Sequence, residues 1–529
     1  MNYSGDTSQG RGAGFTNKFK GDSKLLPGAT ADLQSYIRQN IIDGDTRELD
    51  RITKYYLYWK FYEGYHYRDL NESMLSFNYV RAFIDKINMF MLGKDAFTIQ
   101  VKDLMTEQVD TDFEKLVERA LQYHWNKSKK SLLTYEILQM GSICGDVWVC
   151  PEWKEVGKYV KIRCLDSRQC FPIFKEGDYN ELESFVMRFP IDSAMNEHKY
   201  KLFCYQYTND KILTWYQKDT ASGAGVRREN PTSVDNPYGF IPVVHIKNKP
   251  FSPGYFSKSD ASDTMKINKV YNEMMQQEKA IIDYHATPTT VITGGTAKNL
   301  QRGLGKIWSG LPPEANVFNL GLDVDMGAMN EYLRTIKTAM HELSDVPENA
   351  LGKLQAISNT AAAALHITYQ PLVQQADLKA ITYGDGFTEI NTMVLRIHDH
   401  HERDSQLLAP IKKQNKNYLE ELRAEPVFTY GLPQDRQNEL NMGISELNAH
   451  IGSRKEIMER LGKHNIPELL DDIQQDQEDE LEMNALQQGL MSAATGDNTN
   501  DGNDTGNLDV PPVNNESVNG KFTTIKKKK

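Results

Sequence analysis

The chain lacks any long hydrophobic run. No part of the 529-residue sequence is an uninterrupted apolar stretch near the roughly 18–20 residues that a membrane-spanning helix needs. The first thirty residues are polar and Gly-rich, and they contain no apolar segment that resembles a signal peptide. We therefore expect no contact with a membrane, and a product that stays in the cytoplasm in which it is made.

Cysteine is scarce, and no two cysteines form a CxxC pair. Zinc sites usually show such tight pairs, and disulfide frameworks usually hold an even number of cysteines in a short chain. The residues fall among the apolar positions of predicted strands. We interpret all five as buried reduced thiols: Cys144, Cys150, Cys164, Cys170 and Cys204.

Basic residues are absent from one long segment. Residues 471–510 contain eleven Asp or Glu and no Lys or Arg, so they account for the whole net charge of −11. The rest of the chain is therefore neutral. A tight nucleic-acid binder usually has a net basic domain, because neutralising phosphates supplies most of the affinity. If DNA meets this protein, we expect it to slide past the body of the chain.

The common catalytic motifs are also absent. The Gly-rich run Gly303-Leu304-Gly305-Lys306 has neither the spacing nor the Ser or Thr of a phosphate-binding loop, so nucleotide hydrolysis is disfavoured. No GxSxG nucleophile elbow is present. We predict no catalytic residue, no cofactor and no metal site, and we expect that the chain is not an enzyme.

One histidine cluster offers an alternative. In the run His398-Asp399-His400-His401-Glu402, a helix would place His398, His401 and Glu402 on one face, which is a usable metal spacing. A metal-dependent nucleic-acid enzyme therefore remains an open hypothesis. The cluster stands at the polar end of a predicted long helix, and we interpret it as a solvated helix end.

Two kinds of pattern divide the first half of the chain. Residues 31–92 are helical and rich in aromatic side chains, and another helix is predicted over about 108–142. Residues 146–250 hold short segments rich in β-branched and aromatic residues, which is typical of antiparallel hairpins. The predicted strands are Asp146–Trp153, Tyr159–Leu165, Glu183–Phe189, Lys199–Tyr207 and Ile212–Gln217.

The most informative stretch lies at 258–400. No Pro or Gly interrupts residues 259–286, which predicts a helical rod of roughly 40 Å. A Gly- and Pro-rich insert follows, with strand-like pieces at Thr289–Thr293, Lys306–Trp308 and Asn316–Leu320. A second helix comes next and stops before Pro347, because a proline disfavours helical backbone at the preceding residue.

A loop with weak periodicity, residues 347–359, leads into a long helix that reaches about residue 400. Pro371 is predicted to kink this helix or open it locally, because proline cannot donate the helical hydrogen bond. Two further helices are predicted at about 434–449 and 453–462. Beyond about residue 484 the chain is too polar to bury a core.

This order of elements resembles the portal proteins (head-to-tail connectors) of tailed bacteriophages. It comprises the aromatic helical start, the hairpins, the Pro242-Val243-Val244 strand, the Ser259-Asp260 helix with Asn272, the insert, the second helix, the loop and the Ala-rich helix. The C-terminal Gly431-Leu432-Pro433-Gln434-Asp435, Ser453-Arg454-Lys455-Glu456 and Pro467-Glu468-Leu469 are similar to that family too. The resemblance covers roughly residues 50–482.

The resemblance implies an α+β protomer with an α/β wing, a two-helix stem, a small α/β clip, a long kinked wing helix and a helical crown, assembled as a ring of about twelve subunits. Its expected parts are a flexible arm at 1–30, wing at 31–257, stem helices at 258–286 and 328–346, clip at 287–327, tunnel loop at 347–359, kinked helix and wing at 360–430, crown at 431–485 and disordered tail at 486–529.

The resemblance also implies a place and partners. The ring would stand at one vertex of the virion capsid, and double-stranded DNA would pass through it during packaging and ejection. Expected partners are the terminase large subunit, head-completion or adaptor proteins, and the major capsid and scaffolding proteins. The implied DNA-facing loop residues are Asn349, Leu351, Lys353 and Gln355, the implied docking residues of the clip are Lys298, Arg302, Lys306 and Trp308, and the implied kink is Pro371.

Two other classes remain open beside this one. An oligomeric phage tail or baseplate protein would lack two rods that bracket a small insert, so limited proteolysis should not release a helix–insert–helix unit from it. A plain DNA-binding module would need a basic body, which the charge distribution argues against.

We predict that deletion of residues 350–356 leaves ring assembly intact but impairs DNA packaging or retention. The loop is assigned to DNA contact and not to subunit contact, and Lys353 is its single basic side chain. Electron microscopy of the purified variant and DNA content of assembled particles measure the two effects. Loss of the ring in this deletion would contradict the assignment.

Overall fold

The computed structural model describes most of the chain between residues 33 and 486. The described residues are 33–35, 37–38, 48–64, 76–93, 96–103, 112–178, 180–191, 200–219, 226–228, 230–250, 254–286, 290–294, 312–319, 326–352, 362–402, 407–408, 411, 419, 422–431, 436–461, 469–470, 473–478, 483 and 485–486. Backbone contacts divide the chain into two units, Met1–Pro433 and Gln434–Lys529.

The N-terminal helices are α1 (Leu49–Glu63), α2 (Tyr79–Leu92), α3 (Asp112–Lys127) and α4 (Lys130–Cys144). The prediction of one helix over 108–142 was wrong, because the chain breaks between α3 and α4. Lys129 adopts a left-handed φ of 60° there. The Ser128 hydroxyl donates to the carbonyl of His124 and accepts from the N–H of Ile162 at 3.0 Å, which ties the break to a neighbouring strand.

Thirteen strands lie within the described residues. They are β1 (Thr98–Asp103), β2 (Asp146–Lys154), β3 (Tyr159–Leu165), β4 (Cys170–Phe174), β5 (Leu182–Pro190), β6 (Tyr200–Tyr207), β7 (Lys211–Asp219), β8 (Val226–Arg228), β9 (Thr232–Asp235), β10 (Val244–Lys247), β11 (Thr290–Thr293), β12 (Asn316–Asn319) and β13 (Leu422–Val427). The predicted hairpin strands are confirmed, with ends that differ by at most two residues.

All strand pairs described are antiparallel and form four sheets. A three-stranded sheet has the order β10–β2–β3, and a six-stranded sheet has the order β4–β5–β6–β7–β8 with β9 also paired to β7. Strands β11 and β12 pair with each other. Strand β1 pairs with β13 across more than 300 residues of sequence. This mixture of helices and sheets confirms the α+β class.

The remaining helices match the predicted order. Helix α5 (Ala261–Ala286) and helix α6 (Met326–Ser344) bracket the β11–β12 pair, and a short 3-10 helix at Glu348–Leu351 follows them. Helix α7 (Ala362–His401) is assigned as continuous through Pro371. Because proline cannot donate the helical hydrogen bond, we still predict a kink at this position. The second unit contains α8 (Arg436–Asn448) and α9 (Arg454–Arg460).

The largest core forms where α7 meets α3, β2 and β13. The ring of Phe97 lies 5.0 Å from Trp125 and 5.1 Å from Phe387, centroid to centroid. The indole N–H of Trp125 donates to Asn391 Oδ1 at 2.7 Å, and the Asn391 amide donates to the carbonyl of Ala424. One buried amide therefore satisfies both an aromatic donor and a strand carbonyl, as burial requires.

All five cysteines are free, and burial is confirmed for four of them, whereas Cys164 is half-buried. Burial raises the pKa of each of the thiols Cys144, Cys150, Cys164 and Cys170, so these groups remain protonated. Among the helices the structure describes, none combines the length and hydropathy that would let it cross a bilayer.

Two glycines on α7 should respond to alanine in opposite ways. A Cβ on Gly386 would lie 2.5 Å from Ile246 Cγ1, whereas a Cβ on Gly384 would meet its nearest atom at 4.0 Å. Gly386→Ala should lower the free energy of unfolding by about 1–3 kcal/mol through overpacking. Gly384→Ala is the matched control and should raise it by up to about 1 kcal/mol through helix propensity. Urea unfolding of both variants measures the difference, and equal effects would disprove the close approach.

Candidate functional site: the paired helices and their buried anchor

Helices α5 and α6 pack against each other but are buried in only one half of their length. The buried residues of α5 all lie at or before Asn272, and those of α6 all lie at or after Leu333. In the rooted halves, Tyr271, Leu333 and Met340 share a core with residues of α2 and α7. In the distal halves, Ile282 is 53% exposed and Tyr332 is 50% exposed.

The strand pair between the two helices has no core among the described residues. All four residues of β12 are exposed, including the apolar Val317 and Phe318. A two-stranded hairpin with exposed apolar side chains is marginally stable by itself in water. The distal halves and this hairpin therefore present an apolar surface that the single chain leaves uncovered.

Two asparagines fasten α5 to the start of α2. Asn272 accepts from the N–H of Phe77 at 2.8 Å and donates to the carbonyl of Phe77 at 3.0 Å. Asn268, one helical turn earlier, also donates to that carbonyl at 2.9 Å and accepts from the N–H of Val80 at 3.3 Å. These bonds satisfy main-chain groups of Phe77 and of the first turn of α2, so they set the position of α5 against that helix.

A buried ion network lies where α5 begins. Asp260, the residue before α5, accepts from Lys379 Nζ at 2.5 Å and pairs with Lys249 Nζ at 3.0 Å. Lys379 lies on α7, is fully buried, and also donates to Ser142 on α4 at 2.8 Å. The Asn248 amide donates to the second oxygen of Asp260. A buried carboxylate with this many partners joins four segments of the chain.

Charge explains the protonation states in this network. Burial alone would raise the pKa of Asp260, but the ammonium groups of Lys379 and Lys249 outweigh it and hold the pKa at about 2. Burial lowers the pKa of Lys379, and the Asp260 carboxylate opposes that shift. Each charge therefore depends on the other to remain ionised inside the protein.

The same network reaches the end of α6. The Gln375 amide, oriented to satisfy its neighbours, donates to the carbonyl of Ser344 at 3.3 Å and accepts from Lys249 Nζ at 2.7 Å. Helix α7 thus contributes Lys379 to the base of α5 and Gln375 to the end of α6. Both helices of the pair, α5 and α6, are therefore held by polar contacts with α7.

A second buried carboxylate supports the segment before α5. Asp146, at the start of β2, accepts from the Tyr55 hydroxyl at 2.6 Å, from His245 Nε2 at 2.8 Å and from the N–H of Ser257 at 3.0 Å. His245 stacks on Trp148 with centroids 4.1 Å apart. Hydrogen bonds from several donors stabilise a carboxylate that no water reaches.

The interpretation of the histidine cluster as a solvated helix end was wrong for His398, which is 2% exposed. Its Nδ1 lies 2.8 Å from His124 Nε2, and His124 Nδ1 accepts from the N–H of Val160. Burial is the main cause that lowers the pKa of His124 to about 3, and the neighbouring His398 is the second cause. The end of α7 packs against α3 and the β2–β3 hairpin, and local sequence patterns do not show such tertiary contacts.

The other cluster members also have protein partners. His401 stacks on Trp153 at 4.8 Å and shares a hydrogen bond with the Tyr238 hydroxyl, and Glu402 pairs with Lys158. In the part of the chain that the structure describes, no group of three or more His, Cys, Asp or Glu is placed to hold a metal ion. Each of the three side chains that the spacing had grouped thus has its own polar partner: His124 for His398, Tyr238 for His401 and Lys158 for Glu402.

Most of the predicted contact residues lie outside the described residues, namely Lys353 and Gln355 of the loop and all four clip residues, Lys298, Arg302, Lys306 and Trp308. Asn349 and Leu351 belong to the 3-10 helix after α6, and Leu351 is exposed. Pro371 is exposed on α7. The DNA-facing and docking roles therefore remain predictions.

Sequence reasoning missed the anchor residues. Lys379 reads as an ordinary polar position of a long helix, and Asp146 as the first residue of a strand. One signal was available, since Ser259-Asp260 stood out as a helix start, and Asp260 is the centre of the network. The distant partners Ser142, Lys249 and Lys379 carry no local signal.

The sequence matches the family described as "Phage portal protein, SPP1 Gp6-like" over residues 38–483. Because this match covers well over half of the chain, the protein belongs to that portal family. No curated protein matches the sequence. The family membership agrees with the order of elements and with the rooted helix pair.

Two solved structures show a partial similarity to this chain. The chain "Neck of empty GTA particle computed with C6 symmetry" has 12% identity and a TM-score of 0.43, over 72% of this chain and 89% of that one. The chain "Neck of native GTA particle computed with C12 symmetry" has 12% identity and a TM-score of 0.42, over 82% of this chain and 93% of that one.

We predict strongly non-additive effects at the buried pair. Asp260→Asn leaves Lys379 without its countercharge and should lower the free energy of unfolding by about 3–5 kcal/mol. Lys379→Met should cost less, because Asp260 keeps Lys249 and Asn248. The double variant should be more stable than Asp260→Asn alone, as urea unfolding would show. Effects that add within about 0.5 kcal/mol would contradict direct coupling.

The Asp260→Asn variant should also change how the free energy of unfolding depends on pH. The folded pKa of Asp260 is about 2, below its ordinary value, so its stabilising contribution is present above about pH 4 and is lost as the pH falls toward 2. Asp260→Asn should remove this part of the acid dependence of the free energy of unfolding. An unchanged pH profile between 4 and 2 would disprove the assigned ionisation.

Proposed function

We propose that this protein forms a ring-shaped portal at one vertex of a tailed-phage capsid, through which double-stranded DNA enters and leaves. Membership of the portal family supports the class. The observation that carries the proposal within the chain is the helix pair, rooted through Asp260 and Lys379 and exposed beyond Asn272 and before Leu333.

Within this proposal, α5 and α6 are the stem, and the segment between them, 287–327, is the clip. The loop after α6, residues 347–359, faces the DNA with Asn349, Leu351, Lys353 and Gln355. The clip binds the terminase large subunit and later the adaptor proteins through Lys298, Arg302, Lys306 and Trp308. The surrounding capsid and scaffolding proteins meet the wing, and residues 431–485 form the crown.

Subunit contact follows from the exposed apolar surface of the distal halves. The distal side chains Ile282 and Tyr332 lie exposed on a single chain. Contiguous exposed apolar surface marks an interaction site, and a cyclic ring buries it against the next copy with the same contact repeated. Closure into a ring of about twelve subunits gives the helices a shared axis and a channel.

Charge supports a conduit rather than a clamp. The chain outside residues 471–510 is neutral, so a DNA duplex inside the ring meets no strongly attractive wall. Weak attraction suits movement in both directions, because each phosphate contact would otherwise have to be broken at every step. A structural role without catalysis agrees with the family and with the protein partners of His398 and His401.

A tail or baseplate protein is the competing assignment. Such a protein would also oligomerise through apolar surface. Its role does not require two long helices that flank a small insert and share one buried anchor. Family membership favours the portal. The two assignments differ in whether the purified protein forms closed rings with a central hole.

Charges placed on the distal helix halves should block assembly without unfolding the chain. We expect closed rings for the wild type and single subunits for Ile282→Glu/Tyr332→Glu, because burying a carboxylate in an apolar contact is costly. Val156→Glu is the control, since Val156 is 91% exposed in the β2–β3 turn. Negative-stain microscopy and light scattering measure assembly, and circular dichroism measures folding. Intact rings in the double variant would refute this interface.

A further inference from the structure

One exposed face of α3 carries an unbalanced positive charge. Lys115, Arg119, Gln122 and Asn126 are all exposed and stand four, three and four residues apart, which places them on one helical face. Lys129, also exposed, follows in the turn before α4. We call these five residues the α3 stripe. Its helical part spans about 16 Å at 1.5 Å per residue.

Two of the three acidic residues of α3 are engaged, and the third, Asp112, is exposed one turn before Lys115. Glu114 is buried, and Glu118 accepts from the N–H of Val101 at 3.0 Å. Among the described residues, no carboxylate forms an ion pair with Lys115, Arg119 or Lys129. Three positive charges against the one carboxylate of Asp112 leave this surface with a net charge of +2, in contrast with the neutral chain around it.

An open groove adjoins the end of the stripe. Its lining includes Thr98, Gln122, Asn126, Lys129 and Ser131. Hydroxyl and amide donors therefore stand beside a lysine at one concave place on the surface. Lysine or arginine combined with Ser, Thr, Asn and Gln is the residue set that contacts phosphate oxygens in protein–DNA interfaces.

We infer that the α3 stripe and its groove bind the phosphate backbone of duplex DNA without sequence preference. The length of the stripe matches the axial rise of about five phosphates of one strand. The stripe itself has no aromatic side chain, and the ring of the neighbouring Tyr123 is half-buried with Lys127 Nζ 5.5 Å from its centroid, which favours a duplex over a single strand whose bases would stack. Binding is weak and depends on salt, because only three charges contribute.

This surface is separate from the proposed channel. Helix α3 packs on β1, β3, α4 and α7, and the helix pair is rooted through other residues. The stripe thus gives the protein a second place to meet DNA, outside the paired helices. The inference does not depend on ring formation, and the two can fail independently.

The test is fluorescence anisotropy of a labelled 30-base-pair duplex with the full-length protein at several salt concentrations. Arg119→Glu/Lys129→Glu should weaken binding at least about tenfold at low salt and reduce the slope of log affinity against log salt by about 2. The neutral pair Arg119→Gln/Lys129→Gln should give a smaller loss in the same direction. Circular dichroism and electron microscopy should show unchanged folding and assembly.

The control makes the same charge change elsewhere. Lys54→Glu/Lys211→Glu alters two exposed lysines on α1 and β7 and should leave the affinity within about twofold of wild type. Equal losses in the control and the stripe variant would overturn the inference, because net charge alone would then explain binding. Displacement of the duplex by an equal concentration of a peptide with the sequence of residues 471–510 would also overturn it, in favour of an acidic protein segment.

Discussion

The structure depends on the burial of Asp260 between two lysines. Taking an isolated carboxylate and an ammonium group out of water costs several kcal/mol each, so neither charge is tolerated without its partner. The partners come from three separate parts of the sequence: the start of α5, the end of β10 and the middle of α7. The fold must therefore bring these segments together before any of the charges can be buried, and the paired helices begin at that point.

The rooted and exposed halves of the helix pair follow from this anchor. Asn268 and Asn272 satisfy main-chain groups near α2, and Gln375 links the end of α6 to Lys249. Beyond these contacts, α5 and α6 pack mainly against each other, and apolar side chains such as Ile282 remain at the surface. In the proposed ring, the next copy of the chain covers this surface.

Charge is distributed on two scales. The chain outside its acidic C-terminal segment is neutral in total, yet the α3 stripe shows that neutrality is not uniform. Coulomb attraction decays within about 10 Å at ordinary salt, so a polyanion responds to the local surface and not to the sum. A protein can therefore pass DNA freely in one place and hold it weakly in another.

The sequence by itself determined the elements whose signals are local. Alternating β-branched residues located the strands from Asp146 to Asp219, and the absence of Pro and Gly located α5. Local patterns could not show that Lys129 breaks a helix, that β1 pairs with β13, or that His398 lies against His124. Those features were decided only by the tertiary structure. Burial and countercharge are properties of packed neighbours, and neighbours more than a hundred residues apart leave no periodic trace in the chain.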